Sequence, residues 1–363
     1  MWTQVVILLV SLAVLAAGAE ALVRGASRLA LSLGISSLVV GLTVIAYGTS
    51  APEMLVSVLA ALRGNADIAV ANVVGSNLFN TLLILGLCAI VRPLLVTPRL
   101  LRRDVPIMIG ATVLLATVAV DGRISRIEGL LLAAGTAAYT LFCIRTARGR
   151  DHHVEHGGDD RRGSGSNRLK NCGLVVAGLV IMILGARSLV SSAVAIARAV
   201  GVSDLIIGLT VVAAGTSLPE VATSVVATLR GQRDIAIGNV IGSNISNILA
   251  IIGISALIAP GGLPVGTQLV HFDLPVLLAV SLICLPLMIT GRLFARWEGA
   301  LFLSYYLLYS VYVARYATGH VQLGLIANLT AAVVVPLSAA ALFIEVFRAI
   351  VSRKKAQQAR TVQ

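Results

Sequence analysis

The most restrictive feature of this chain is a long internal repeat. Residues 41–86 (GLTVIAYGTSAPEMLVSVLAALRGNADIAVANVVGSNLFNTLLILG) align without a gap with residues 208–253 (GLTVVAAGTSLPEVATSVVATLRGQRDIAIGNVIGSNISNILAIIG), at a constant offset of 167 positions. A second match follows, between residues 126–129 and 296–299, at an offset of 170. The chain is therefore expected to contain two structurally equivalent halves.

The composition places both halves in a membrane. Of the 363 residues, 58% are hydrophobic and 12% are charged, whereas a soluble chain carries about 25% charged residues. Apolar runs of about 20 residues, long enough to cross a bilayer as helices, recur along nearly the whole chain. We therefore predict an all-α polytopic membrane protein with the lipid bilayer as its main partner. The expected helix cores are 4–31, 35–62, 67–91, 104–120, 125–146, 171–199, 204–229, 235–259, 270–290, 295–316 and 321–349.

The repeat unit spans about five of these helices, and an odd number requires that its copy be inverted in the membrane. Inverted repeats with a binding site near the midplane are typical of secondary transporters. We predict four parts: a first five-helix repeat (1–146), a polar cytoplasmic linker (147–170), a second repeat (171–316), and an extra helix with a basic tail (317–363). The first apolar run is interpreted as a transmembrane helix rather than a signal peptide.

The net charge of +12 is explained by topology. Lys and Arg concentrate in alternate loops and in the C-terminal tail, which predicts an outside N-terminus and a cytoplasmic C-terminus. No basic stripe interleaved with aromatic residues indicates nucleic-acid binding. The four cysteines are scattered and predict neither a disulfide framework nor a metal site.

The strongest chemical signal is a duplicated Gly-Thr-Ser-x-Pro-Glu segment inside apolar spans, at 48–53 and 215–220. The Thr, Ser and Glu of each copy share one helix face, and the proline frees a backbone carbonyl and kinks the helix. Carboxylates at bilayer depth cost about 2.5 kcal/mol or more, and hard cations such as Ca²⁺ and Na⁺ prefer oxygen ligands. A buried cation site is therefore expected at Glu53, Thr49 and Ser50 with Glu220, Thr216 and Ser217, and the kinks can aim the carbonyls of Ala46 and Ala213 inward.

A second duplicated motif, Asn-x-x-Gly-Ser-Asn-x-x-Asn, occupies 72–80 and 239–247. We expect Ser76, Asn80, Ser243 and Asn247 to add neutral oxygens to the site. The asparagines at 72, 77, 239 and 244 are either further ligands or polar contacts between helices.

Other candidates are weaker. The histidines near 152–156 are interpreted as part of a disordered loop, Glu20 as an intrahelical partner of Arg24, and Glu128 and Glu298 as helix-start residues. No nucleotide-binding loop, catalytic triad or zinc motif is found. We expect a protein that is not an enzyme, has no cofactor and needs no obligatory protein partner, with an ion gradient as its energy source.

At the two repeats the sequence resembles the cation/Ca²⁺ exchanger superfamily, in particular its prokaryotic sodium/calcium exchanger branch, and this implies a prokaryotic inner-membrane location. The resemblance implies that Glu53 and Glu220 hold Ca²⁺ and that the Thr, Ser and Asn positions named above, with the carbonyls of Ala46 and Ala213, hold Na⁺. It also implies alternating access by sliding of the first helix of each repeat over a static core.

One position departs from some K⁺-coupled relatives, which have Asp where this chain has Asn247. The favoured interpretation is Na⁺/Ca²⁺ antiport. H⁺/Ca²⁺ exchange and K⁺-linked exchange are the alternatives within the class, and a cation channel is the alternative outside it.

Overall fold

The computed structural model describes residues 2–147, 165–202, 213–289 and 292–317, and these residues are mostly helical. The first half contains α1 (Trp2–Leu33), α2 (Ser37–Thr49), α3 (Ala51–Leu62), α4 (Asp67–Val91), α5 (100–118) and α6 (Arg126–Ala147). The second half contains α7 (Gly165–Ala199), α8 (Ala213–Gly215), α9 (Leu218–Leu229), α10 (Arg233–Ile258), α11 (Leu269–Ile289) and α12 (Arg296–Ala317).

Several helices can cross a membrane. In the described part of the chain, six are long and apolar enough, and α2 with α3 forms a seventh span that is bent by 45°. The predicted helix at 321–349 lies outside the described residues, as do the start of the helix predicted at 204–229 and residues 148–164 of the predicted linker. Helix α7 begins at Gly165, six residues before its predicted core, and α5 begins at residue 100 rather than 104.

Equivalent parts of the two halves make equivalent contacts. Four two-residue strands follow α4, α5, α10 and α11: β1 (Leu94–Leu95), β2 (Arg123–Ile124), β3 (Leu263–Pro264) and β4 (Leu293–Phe294). Strand β1 pairs antiparallel with β4, and β2 pairs antiparallel with β3. Each pair joins one half to the other, so the halves are linked by two short antiparallel strand pairs.

The first helices of the halves, α1 and α7, pack antiparallel along their lengths. Ser11 donates a 2.7 Å hydrogen bond to Ser188 near one end, and Arg168 contacts the carbonyl of Ser32 near the other. Between them, small residues allow the backbones to meet, as is common between membrane helices. A Cβ atom at Gly178 would lie 2.6 Å from the backbone nitrogen of Leu22, so this close approach requires glycine.

Helices α4 and α10 form the centre of the molecule and are more buried than the other apolar spans. Almost every side chain between Ile235 and Gly253 is buried. Within both helices the hydrogen bonding widens into π-helical turns, at Phe79–Ile84 and at Asn247–Ile252. Such turns occur frequently at functional sites, and here each begins beside the last asparagine of the duplicated motif.

Candidate cation-binding site

Two helix breaks position the glutamates. The chain leaves helical geometry at Ser50 (φ −78°, ψ 7°) and at Ser217 (φ −90°, ψ 7°), and α3 and α9 start directly afterwards. A proline occupies the first turn of each new helix, where its fixed φ is favourable and its missing N–H costs nothing. Glu53 and Glu220 thus lie in the first turns of α3 and α9, where the helix dipole favours a negative charge.

The two carboxylates are bound crosswise between the halves. Ser50 donates a 3.0 Å hydrogen bond to Oε1 of Glu220, and Ser217 donates a 2.7 Å hydrogen bond to Oε1 of Glu53. Thr49 and Thr216 approach Glu220 and Glu53 in the same crossed pattern. The duplicated motifs therefore form one site at the boundary between the halves rather than two separate sites.

Each glutamate keeps one oxygen without a partner in the part of the chain that the structure describes. Within the described part of the chain, Oε2 of Glu53 and Oε2 of Glu220 accept no hydrogen bond, and both residues are at most 1% exposed. An unpaired buried carboxylate oxygen is costly, and no Lys or Arg forms a described ion pair with either glutamate. The arrangement therefore fits a cation as the missing partner.

The other neutral side-chain oxygens predicted from the sequence lie on α4 and α10. The hydroxyl oxygens of Ser76 and Ser217 lie 3.4 Å apart, so Ser76 lies beside the glutamates. The side-chain oxygens of Ser243, Asn80 and Asn247 are buried and have no hydrogen-bond donor in the described structure. Such oxygens are suitable for hard cations.

The structure gives less information on the two predicted carbonyl ligands, Ala46 and Ala213. The carbonyl of Ala46 already accepts hydrogen bonds from the amide of Ser50 and the hydroxyl of Thr49, at 3.1 and 3.3 Å. Its equivalent Ala213 begins the short helix α8. Ala46 therefore lies beside the ion-binding motif, but its carbonyl is partly occupied.

A supporting layer holds the glutamate helices in place. Asn72 donates to Ser57 at 3.0 Å and to the carbonyl of Glu53 at 3.3 Å. Asn239 does the same with Ser224 at 3.0 Å and with the carbonyl of Glu220 at 3.4 Å. For this pair of asparagines, the helix-contact interpretation describes the observed geometry.

Ser57 and Ser224 were not among the predicted site residues. The sequence signal for them is simple, because both stand four residues after a glutamate and match at the offset of 167.

The remaining asparagines break the symmetry. Asn244 donates to Thr81 at 2.7 Å, whereas Asn77 donates to the carbonyl of Asn244 at 3.1 Å. Asn247 donates to Asn77 at 3.0 Å, but neither polar atom of Asn80 has a partner in the described structure. The two asparagines of this pair, 80 and 247, are therefore not equivalent.

The weaker candidates lie away from the site. Glu20 pairs with Arg24, as expected, and also with Arg230 at the end of α9. Glu128 and Glu298 accept hydrogen bonds from the backbone amides of residues 125 and 295, at 2.7 and 2.6 Å, and so cap helices as expected. The histidine segment lies outside the described residues.

The fold and the site together define a polytopic helical membrane protein with a pair of acidic side chains buried between two related halves. The family model described as sodium/calcium exchanger protein matches residues 3–145 and 170–315. The chain therefore belongs to this family of cation/Ca²⁺ exchangers, whose members are transporters rather than enzymes.

Individual relatives agree with this assignment. The inner membrane protein YrbG of Escherichia coli is 39% identical over 76% of this chain and 86% of its own length. The sodium/calcium exchanger MaX1 of Methanosarcina acetivorans is 35% identical over 84% of this chain and 97% of its own length. A solved structure of the sodium-calcium exchanger NCX_Mj, soaked without Na⁺ and Ca²⁺, superposes with a TM-score of 0.73 at 31% identity, covering 84% of this chain and 97% of NCX_Mj.

Proposed function

We propose that this protein is a secondary active antiporter that exchanges Na⁺ for Ca²⁺ across the membrane by alternating access. The observation that carries the proposal is the crossed pair of glutamates, each with one oxygen fixed by a serine of the other half and one oxygen without a partner among the described residues. The names of MaX1 and NCX_Mj identify those two proteins as sodium/calcium exchangers, which supports the same cargo here.

The proposed site consists of two carboxylates, four symmetric pairs of hydroxyl or amide side chains, and two backbone carbonyls. Its proposed ligands are Glu53, Glu220, Thr49, Thr216, Ser50, Ser217, Ser76, Ser243, Asn80, Asn247 and the carbonyls of Ala46 and Ala213.

Exchange follows from competition for these oxygens. One Ca²⁺ neutralises the two carboxylates, and so does a set of Na⁺ ions, whose size is similar. A site with neither cargo leaves two buried negative charges unpaired, which is unfavourable. Only the loaded site is then expected to change its access from one side of the membrane to the other.

The proposed architecture is two inverted five-helix repeats, with one extra helix at 321–349 and the domain limits given by the sequence. The antiparallel packing of α1 with α7, its equivalent in the second half, supports the inversion. The proposed movement is a sliding of the α1–α7 pair over the remaining helices. The distribution of Lys and Arg supports an outside N-terminus and a cytoplasmic C-terminus, in the inner membrane of a prokaryotic cell.

The coupling ion is tested by ⁴⁵Ca²⁺ uptake into proteoliposomes under separately imposed gradients of Na⁺, K⁺ and H⁺, with the membrane potential clamped. We expect uptake only with the outward Na⁺ gradient. Uptake driven by the pH gradient alone would identify H⁺, rather than Na⁺, as the coupling ion. Uptake that persists without any counter-ion gradient would indicate a channel.

A further inference from the structure

An ion pair ties α1 to one end of α9. Arg230, the residue that follows α9, donates from Nε to Oε2 of Glu20 at 2.8 Å, and a second nitrogen of its guanidinium pairs with Oε1. Arg24, one turn further along α1, contacts the same carboxylate. The Glu20 side chain is 24% exposed, so the pair lies at the edge of the protein.

The equivalent positions in the other half carry charges of one sign. At the offset of 167, Glu20 corresponds to Arg187 and Arg230 corresponds to Arg63. Both of these arginines are exposed. Asp67 and Asp234 also correspond to each other, so these acids occur on both sides and do not distinguish them. We call the side of the membrane at which α3 ends the Arg63 face, and the side at which α9 ends the Arg230 face.

The helix packing has the same asymmetry as the charges. Helix α1 packs along α9, whereas its equivalent α7 makes no comparable contact with α3, although the structure describes the backbone of both over their whole lengths. Glu20 and Arg230 therefore meet because the α1–α9 contact is formed. The Arg63 face lacks the corresponding contact in this conformation.

We propose that the Glu20–Arg230 ion pair is a clasp that holds the Arg230 face closed, and that Arg187 and Arg63 oppose closure of the Arg63 face. This inference rests on the proposed alternating-access function. Alternating access moves one repeat or bundle against the other around the binding site, and in the opposite state proposed here the two halves exchange their conformations. That exchange separates Glu20 from Arg230 and brings Arg187 toward Arg63, so an attraction is replaced by a repulsion.

The charge pattern thus sets the balance between the two access states. With the predicted orientation, the Arg230 face is cytoplasmic, and the resting protein is open toward the outside. Loss of Glu20 has a larger effect than loss of Arg230, because it also leaves Arg24 and Arg230 beside each other without an acid. Partly exposed ion pairs of this kind shift an equilibrium by about 1.5- to 5-fold.

The clasp is tested by measuring the distance between α3 and α7 at the Arg63 face. Nitroxide labels are placed at Leu62→Cys and Val200→Cys, which are exposed, in a full-length protein with Cys172→Ser. The other three cysteines are buried. Pulsed electron paramagnetic resonance in lipid nanodiscs then gives the populations of long and short distances. We expect the long distance to dominate in the parent protein and Glu20→Gln to raise the short-distance population about 1.5- to 5-fold.

Two further variants separate the clasp from a loss of folding. The charge exchange Glu20→Arg with Arg230→Glu is expected to restore the parent distribution. Arg187→Glu is expected to raise the short-distance population, because it creates an attraction to Arg63. The matched control Arg123→Gln, at an exposed position of β2, is expected to change nothing. An unchanged distribution in Glu20→Gln or in Arg187→Glu, or no recovery in the charge exchange, overturns the proposal.

The distance measurement does not depend on transport. Absence of ion exchange in the parent protein contradicts the proposed function, whereas an insensitive distance distribution in a protein that does exchange ions contradicts only the clasp.

Discussion

The hydroxyl of Ser217 donates a 2.7 Å hydrogen bond to Glu53, although the two residues are 164 positions apart in the chain. The equivalent bond joins Ser50 to Glu220 at 3.0 Å. Each half therefore fixes the carboxylate of the other half, and the orientation of both acids depends on how the halves meet. A movement of one half relative to the other must therefore alter the hydrogen bonds of both carboxylates together.

Replacement of either glutamate is expected to abolish Ca²⁺ transport. Glu53→Gln and Glu220→Gln keep the size of the side chain and an oxygen for the serine, but they remove one of two buried negative charges. Loss of one partner of a buried charge pair costs about 2–5 kcal/mol, or roughly 30-fold or more in affinity. The measurement is ⁴⁵Ca²⁺ uptake into proteoliposomes as a function of Ca²⁺ concentration.

The control for these variants is Asp121→Asn, which removes an acid from an exposed turn. It is expected to transport like the parent protein. Because Glu53 and Glu220 occupy equivalent positions in the repeat, the two variants are expected to lose Ca²⁺ uptake to a similar extent. Intact Na⁺-dependent uptake in Glu53→Gln contradicts the assigned site.

The two asparagines of the site are expected to respond differently to a new carboxylate. Asn247→Asp removes the N–H that donates to Asn77 and places two acceptor oxygens against each other, which costs about 1–3 kcal/mol. Asn80→Asp breaks no described hydrogen bond. Because the added charge is common to both variants, the difference between them isolates the Asn247–Asn77 bond. Thermal unfolding in detergent without Ca²⁺ is expected to show the lower melting temperature for Asn247→Asp, and equal values contradict the asymmetry.

The close packing of α1 on α7 predicts that alanine substitutions at two glycines of α7 have opposite effects on stability. Gly178→Ala places a methyl group 2.6 Å from the nitrogen of Leu22, so the helices must separate, at a cost of about 1–3 kcal/mol. Gly173→Ala meets no described atom within 4 Å beyond the backbone of its own helix and is expected to stabilise the helix by about 0.5–1 kcal/mol. Thermal unfolding of the two variants measures the difference, and a tolerated Gly178→Ala argues against the observed helix contact.

The sequence predicts much of this arrangement, because the repeat copies both the helices and the chemical motif. The broken span at Ser50 and the burial of both glutamates follow from proline and from apolar flanks. The crossed bonds do not follow, because no local pattern shows which half a serine faces. The asparagine asymmetry has a local cause that is visible only with the structure: Asn244 donates to Thr81, whereas the equivalent of Thr81 is Ile248, which has no hydroxyl.

A second symmetric pair of buried acids, outside the cation site, gives the last prediction. Asp104 and Asp273 lie at equivalent positions in α5 and α11, and both are almost fully buried. Tyr309 donates a 2.9 Å hydrogen bond to Asp273. Its equivalent Tyr139 has a buried hydroxyl without a partner in the described structure, as do both carboxylate oxygens of Asp104.

Tyr309→Phe is therefore expected to destabilise the protein by about 1–3 kcal/mol, since it leaves a buried acceptor unsatisfied. Tyr139→Phe removes a hydroxyl that bonds to no described group, so it is expected to be neutral or slightly stabilising. The two changes are chemically identical and occur at symmetric positions, so each is the control for the other. The measurement is thermal unfolding in the same detergent. Equal destabilisation by both variants shows that Tyr139 has a bonding partner, and no loss in Tyr309→Phe shows that the bond to Asp273 contributes nothing to stability.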